Sequence, residues 1–337
     1  MTMKKTKINA IWEELESDSS FHTGLLYKRY SVKVIPDVYI ALKNPEKIRC
    51  IAANISSSFI IDYEKLNQFK DIKIETINNV KNPDKQFFLI LLLNSQLNDI
   101  FSTLCQDLIC KVSQIKDEII LVDKLYERLF EWQLLFEKLG KQGLSENSQR
   151  GLYGELYFLR TYLSKNLDYE MCVNSWMGPE RAIQDFQYSD WAVEVKTTHG
   201  KNHQKIQINS ERQLDDSIIP KIFLYHLSLD IRKEYGETLN SIIKEILEIL
   251  STDSFATHIF KLKLINAGYF ERHSNLYNDT GYQIRYENVY SVTGNFPRIT
   301  EKQIPDGVGD IKYSIILSES EDWKIDVSNL FSSISGD

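Results

Sequence analysis

The segment "DFQYSDWAVEVKTT", residues 185–198, constrains the fold of this chain more than any other stretch. Its aromatic and β-branched residues predict two short strands joined by a tight turn. Within these otherwise apolar strands the segment places two carboxylates and one ammonium: Asp185, Glu194 and Lys196. Charged groups are costly to bury unless they are paired or bind a metal. The segment therefore predicts a buried hairpin whose charged residues have a chemical role.

The register of this hairpin decides which charged residues meet. A two-residue turn at positions 189 and 190 places Asp185 directly across from Glu194, with Cβ atoms about 4.5–5.5 Å apart. Glu194 and Lys196 are two residues apart and share a face, whereas the valines beside them point to the opposite, apolar face. A slip of one residue would turn one of these side chains away. The expected result is three charges on one side of the hairpin.

Two facing carboxylates repel each other, and each raises the pKa of the other. A hard divalent cation removes that penalty, and Mg²⁺ favours one or two carboxylates together with waters and a substrate phosphate. Bound Mg²⁺ lowers the pKa of a water ligand and stabilises the charge of a phosphate under attack. The Lys196 ammonium beside it could hold the scissile phosphate or help to orient and deprotonate the attacking water.

The spacing of these residues resembles the signature of the PD-(D/E)xK nuclease superfamily, whose members have a restriction-endonuclease-like fold. Asp185 followed by Glu194-x-Lys196 matches that signature, although Gln184 stands where a proline is common. The runs "GLYGELYFLR", "SWMGP", "DF", "EVKTT" and "INSERQL" resemble an uncharacterised branch of the superfamily that is often encoded beside DNA modification genes. The close resemblance covers about residues 148–215.

The resemblance implies roles for five residues. Asp185 and Glu194 would bind Mg²⁺, or Mn²⁺ in its place, and Glu155 from the preceding helix would join them as a third metal ligand. Lys196 would be catalytic and Gln213 would be a positioning residue. Two simpler interpretations stay open: Glu155 lies on the flank of a leucine stripe and could be solvated, and Gln213 in "SERQ" could merely cap a helix.

The pattern of elements predicts an α/β (α+β) protein, and the resemblance implies a core in which helices flank a mixed β-sheet. Residues 1–94 are typical of an N-terminal α/β module that is rich in strands. Residues 95–145 are typical of a helical connector, in which one helix ends near Gly140. Residues 146–337 are typical of the nuclease-like domain. "KIFLYHLSL" predicts a strand and "GETLNSIIKEILEIL" an amphipathic helix. An acidic, Ser-rich tail is expected after Ser318.

Composition limits the partners and the location of the chain. The net charge of −7 argues against indiscriminate coating of nucleic acid, but not against a local basic groove. The longest apolar run, "FFLILLL", is too short to cross a bilayer, which needs about 20 residues, so no membrane partner is expected. The four cysteines form no C-x-x-C pair and the N-terminus lacks the apolar region of a signal peptide, so a cytoplasmic location is expected.

A basic segment follows the hairpin. Residues 196–210 contain no acidic residue and three lysines: Lys196, Lys201 and Lys205. Such a cluster suits a polyanion, although an ordinary solvated loop is the simpler interpretation. His199 and His203 lack the spacing of metal ligands and are interpreted as loop residues near a phosphate path, or simply as solvated.

The resulting hypothesis is a Mg²⁺-dependent endonuclease that hydrolyses DNA, with restriction or anti-phage defence as the setting that the resemblance implies. Cleavage of both strands calls for two active sites, which makes a homodimer plausible. One alternative is a catalytically silent DNA-binding or scaffolding subunit that recruits a methyltransferase or helicase. Another is an unrelated α/β enzyme with a surface ion pair. No sequence feature assigns a role to residues 1–94.

Overall fold

The computed structural model describes the chain in four stretches, which are residues 7–59, 71–137, 143–200 and 204–334. They belong to two compact units, Met1–Lys138 and Leu139–Asp337. Gly140, where the sequence predicts the end of a helix, lies outside the described residues. No helix within the four stretches has both the length and the apolar composition that a membrane span requires.

In its described residues, the first unit contains a five-stranded antiparallel sheet and three α-helices. The strands are hydrogen-bonded in the order β1-β2-β3-β5-β4. Chain order gives the bounds: α1 Lys7–Ser17, β1 Gly24–Arg29, β2 Val38–Asn44, β3 Ile48–Ser56, β4 Ile72–Asn78, β5 Lys85–Leu92, α2 Asn98–Val112 and α3 Glu118–Glu137. The predicted strands between residues 21 and 94 are therefore present, and the apolar run "FFLILLL", except for its last residue, lies in the buried strand β5.

Aromatic side chains fix α1 to the sheet of the first unit. Trp12 is fully buried, stacks on Phe101 of α2 with ring centroids 5.6 Å apart, and donates its indole N–H to the carbonyl of Ala41 at 3.0 Å. A buried indole needs such an acceptor because an unpaired N–H costs free energy in an apolar environment.

The second unit contains the hairpin that the sequence singles out. Its elements are α4 Glu146–Lys165, α5 Tyr169–Ser175, β6 Phe186–Tyr188, β7 Trp191–His199, β8 Lys205–Ile208, β9 Lys221–Lys233, β10 Glu237–Thr238, α6 Leu239–Ile249, α7 Ser254–Asn266, β11 Thr280–Ser291, β12 Tyr313–Ile316, β13 Lys324–Ile325 and α8 Val327–Ile334. The predicted strand "KIFLYHLSL" lies in β9 and the predicted amphipathic helix is α6.

The main sheet of the second unit is mixed, as expected for the fold. Its order is β10-β11-β9-β7-β6, with β13 paired to β11. The β7–β9 pair is parallel, whereas β6–β7 and β9–β11 are antiparallel. One face, which includes Val193 and Val195, packs into a core with α4, α6, α7 and α8. Ala192 and Leu224, on the other face, pack into a smaller core with the β8–β12 pair.

Helix α4 presents the predicted leucine stripe to that core. Ser145 caps its N-terminus by accepting the Ser148 N–H at 3.2 Å, and four leucines at helical spacing are almost fully buried: Leu152, Leu156, Leu159 and Leu163. The helix lies very close to β7 at Gly154, where an added Cβ would lie 2.4 Å from Cγ2 of Thr197. Gly154 therefore allows the close approach that brings Glu155 next to the strand.

The C-terminal segment differs from the acidic tail that the sequence suggests. Residues 324–325 form β13 and residues 327–334 form α8. Leu330, Phe331 and Ile334 are buried in the core of the second unit. Their three- and four-residue spacing places them on one face of the helix. This apolar pattern is short and lies among serines, so it is difficult to recognise in the sequence.

We expect Gly154→Ala to lower the free energy of unfolding by about 1–3 kcal/mol, because overpacking at the helix–strand contact outweighs the better helix propensity of alanine. Urea unfolding measures the change. Gly151→Ala is the matched control in the same helix, because an added Cβ there meets no atom within 4 Å. The control should be neutral or more stable by about 0.4–1 kcal/mol. Equal stability of the two variants would contradict the assigned role of Gly154.

Candidate active site

The structure brings the predicted site residues together from α4, the β6–β7 hairpin and the turn after β8. Glu155 lies in the middle of α4, and Asp185 directly precedes β6. Glu194 and Lys196 lie on β7, and Gln213 lies in the turn that follows β8. Two of these side chains contact one carboxylate oxygen, Glu194 Oε1: Lys196 Nζ lies 2.6 Å from it, and Gln213 Nε2 donates to it at 2.7 Å.

The hairpin has the register that the sequence predicts. Phe186 pairs with Val193, and continuing this ladder by one position places Asp185 opposite Glu194. Asp185 is also fixed from its side chain, because its Oδ2 accepts the backbone N–H of Val195 at 2.8 Å. Asp185 is therefore held beside β7, at the position of the ladder next to Glu194.

Glu194 is the most deeply buried of the acidic residues, with 1% of its surface exposed. Its Oε1 accepts hydrogen bonds from the two side chains named above, whereas its Oε2 is buried and has no hydrogen-bond partner among the described residues. A buried oxygen without a partner costs about 1–3 kcal/mol, and more when it is charged. A bound cation would relieve that cost.

A short loop holds the other two carboxylates. The indole N–H of Trp176 donates to Glu155 Oε2 at 2.7 Å. At Gly178, an added Cβ would lie 2.6 Å from the same Glu155 oxygen and 3.2 Å from Oδ1 of Asp185. Both carboxylates therefore lie against the Cα of Gly178, and no larger residue fits there without moving them.

Burial dominates the electrostatics of this cluster. It raises the pKa of Glu155 well above its usual value, and the charge of Asp185 adds to the effect. Burial likewise raises the pKa of Asp185, and burial together with the charge of Asp185 raises the pKa of Glu194 to about 8. Burial alone would lower the pKa of Lys196, but the nearby carboxylates of Glu194 and Asp185 outweigh it and raise that pKa. One ammonium thus faces three carboxyl groups that resist ionisation together.

The donor set suits a hard divalent cation. Glu155, Asp185 and Glu194 offer only oxygen ligands, and Mg²⁺ is commonly held by one or two carboxylates with water and phosphate oxygens completing its shell. Over the described ranges, no group of three or more His, Cys, Asp or Glu side chains is arranged so that it could hold a metal ion. In each of the three carboxylates, one oxygen accepts a hydrogen bond from a donor of the protein. The three assignments as metal ligands stay predictions.

Gln213 does not cap a helix, which is the simpler interpretation of "SERQ", and its role as a positioning residue stays a prediction. The segment 210–213 is a turn rather than a helix, and Gln213 Oε1 accepts the backbone N–H of Asn209 at 2.8 Å. The opposite end of the same amide donates to Glu194. The residue therefore closes the turn and orients the carboxylate, because both ends of its amide group are used.

Sequence reasoning missed several residues around the site. Trp176 is fully buried, and its indole N–H donates to Glu155. His226 of β9 pairs in register with Lys196, is 2% exposed, and lies 2.8 Å from Thr198 Oγ1 through its Nε2. No sequence spacing indicates these contacts, because the partners are brought together only by the parallel β7–β9 pairing and by the loop.

The basic segment after the hairpin is described only in part. His199 ends β7 and Lys205 begins β8, and both are exposed. Lys201 and His203 lie outside the described residues. The interpretation of this segment as a polyanion contact stays a prediction.

The raised pKa of Glu194 predicts a specific pH dependence of stability. Its pKa is 4.5 when unperturbed and about 8 in the folded chain, so the folded state binds the proton more tightly. The corresponding stability is fully present below about pH 4.5 and is lost as the pH rises through about 8. Relative to Glu194→Gln, which cannot titrate, the metal-free wild type should therefore lose stability over this interval. Urea unfolding at several pH values measures the difference, and parallel pH profiles would contradict the assignment.

Comparisons with known proteins agree with the geometry. A family model described as "Putative PD-(D/E)XK family member, (DUF4420)" matches residues 8–318 of the chain. No curated protein and no solved structure matches it. The matched range covers the hairpin, the acidic residues and the lysine described above. The chain therefore belongs to this PD-(D/E)XK family.

Proposed function

We propose that this protein is a metal-dependent endonuclease that hydrolyses phosphodiester bonds of DNA. The observation that carries the proposal is Glu194 Oε2, a buried oxygen without a hydrogen-bond partner among the described residues, within a cluster of three carboxyl groups and one ammonium. A divalent cation would satisfy that oxygen and would allow the acidic groups to ionise together. Membership of the PD-(D/E)XK family supports the assignment to the nucleases.

In this proposal each residue has a distinct task. Asp185 and Glu194 hold Mg²⁺ or Mn²⁺, and Glu155 assists them. The cation, when bound, activates a water molecule and stabilises the negative charge that develops on the phosphate. Lys196 donates hydrogen bonds to a phosphate oxygen or to the attacking water, and Gln213 keeps the Glu194 carboxylate oriented.

The biological setting rests on the resemblance to a branch encoded beside DNA modification genes. Restriction or defence against phage is the setting that fits a DNA nuclease encoded beside such genes. Double-strand cleavage would require two copies of the site, which a homodimer supplies. A methyltransferase or a helicase is the corresponding partner class in a restriction complex.

One contact favours the alternative of a catalytically silent DNA-binding or scaffolding subunit. Lys196 lies 2.6 Å from Glu194 Oε1, so the two form an internal ion pair that needs no metal to neutralise it. Such a pair could be retained for structural reasons alone. Cleavage and metal binding are therefore tested separately.

Lys196→Ala should reduce Mg²⁺-dependent cleavage of plasmid DNA by about 100-fold or more, because the charge that stabilises the transition state is lost. Lys221→Ala is a matched control: it removes an exposed ammonium that pairs with Asp190 in the turn of the same hairpin. The control should cleave like the wild type. Equal cleavage by the wild type and Lys196→Ala would overturn the site assignment.

Titration calorimetry should detect Mn²⁺ binding to the wild type and lose it in Asp185→Asn and in Glu194→Gln, because each removes a charged oxygen ligand. Asp190→Asn serves as the control, since that carboxylate is exposed and lies outside the cluster. Binding without cleavage would favour a silent metal-binding subunit. Absence of any heat that depends on Asp185 and Glu194 would contradict the metal site itself.

A further inference from the structure

Lys263 is a buried lysine outside the cluster of acidic residues. It lies on α7, between Phe260 and Leu264 of the core, and its side chain is 5% exposed. Burial lowers the pKa of its ammonium group. A lysine almost never occupies such a position unless its donors are matched by acceptors, so its contacts indicate why it is there.

The ammonium of Lys263 binds one short loop. Its Nζ donates to the carbonyl of Asn174 at 3.2 Å and to the carbonyl of Trp176, and it forms an ion pair with Glu180 Oε1 at 2.8 Å. The two carbonyls lie at the C-terminal end of α5, where carbonyl groups lack partners within the helix and attract cations. We call residues 174–180 the site loop.

The site loop holds the acidic cluster through three further hydrogen bonds. The N–H groups of Met177 and Gly178 both donate to the carbonyl of Asp185, at 2.7 and 2.9 Å. The indole of Trp176 donates to Glu155, as described above. The loop therefore fixes the main chain at one carboxylate and the side chain of another, while its own position is fixed by the ammonium on α7.

We propose that Lys263 is a positioning residue that locks the site loop and thereby holds the Glu155 and Asp185 carboxylates in place for the metal. Its significance for catalysis rests on the proposed nuclease function, whereas its effect on the loop does not. The physical reason is that an apolar side chain at position 263 would leave the buried carbonyl of Trp176 and the part-buried carbonyl of Asn174 without this donor and would free the loop to move. Outer partners of metal ligands typically change metal affinity by about 10–100-fold.

Lys263→Met tests the loop directly and without reference to activity. In protein labelled with ¹⁵N at tryptophan, the indole N–H of Trp176, assigned with Trp176→Phe, should exchange slowly with solvent in the wild type. The exchange should accelerate at least about tenfold in Lys263→Met, because weakening the loop frees the bond to Glu155. Unchanged exchange would overturn the proposal.

Metal binding to the folded protein provides the second readout. Lys263→Met should weaken Mn²⁺ binding by about 10–100-fold, and Trp176→Phe should reproduce part of that loss. Leu264→Ala is the control for stability, because it removes a core side chain of the same helix that cannot hydrogen-bond to the loop; its Mn²⁺ affinity should match the wild type. Glu180→Gln should also stay close to the wild type, since the two carbonyl contacts remain.

If Lys263→Met does not fold, Lys263→Gln keeps a hydrogen-bond donor without the charge and should show smaller losses in both readouts. Wild-type exchange and wild-type Mn²⁺ affinity in the glutamine variant would overturn the proposal.

The proposed nuclease function and the proposed role of Lys263 can fail independently of each other. A wild type that neither binds Mn²⁺ nor cleaves DNA, with fast indole exchange in the Lys263 variants, rejects the nuclease but supports the locked loop. An active wild type whose Lys263 variants are unchanged rejects only the role of Lys263.

Discussion

The crowding of three carboxyl groups around one ammonium, with Glu194 buried and Glu155 and Asp185 half-buried, is the constraint on which the rest of this site depends. Glu194 is almost completely excluded from solvent, and Lys196 can neutralise only one of the three acidic groups. The remaining charge has to be removed either by protonation or by a cation. In the proposed function, a divalent cation would relieve the same electrostatic repulsion that costs the folded chain stability.

Two glycines and a buried lysine make this crowded arrangement possible. Gly154 lets α4 approach β7 so that Glu155 reaches the strand, and Gly178 leaves room for two carboxylates at one point. Lys263 compensates the carbonyls of the loop that carries Trp176 and Gly178. None of these three residues is chemically reactive in the site. Their contribution is steric and electrostatic. It holds in place the carboxylates of the acidic cluster, which would otherwise move apart because they repel each other.

The sequence predicts local features of this protein well and long-range features poorly. The register of the β6–β7 hairpin follows from the period of a strand and the length of a turn, so it could be predicted, and the Phe186–Val193 pairing confirms it. The leucine face of α4 follows in the same way from helical spacing. The contacts of Trp176, His226 and Lys263 depend on residues far away in the chain, which no local period encodes. The helix α8 was missed because its three apolar residues are too few to stand out among serines.

The account is tested most directly by a crystal structure of the protein with Mn²⁺ and a short DNA duplex, using the anomalous scattering of the metal. We predict a Mn²⁺ peak bonded to Glu194 Oε2 and to the Asp185 carboxylate, with the Lys196 ammonium in contact with a phosphate oxygen. A duplex bound elsewhere, with no metal between these two carboxylates and Lys196 still paired only with Glu194, would contradict the central claim.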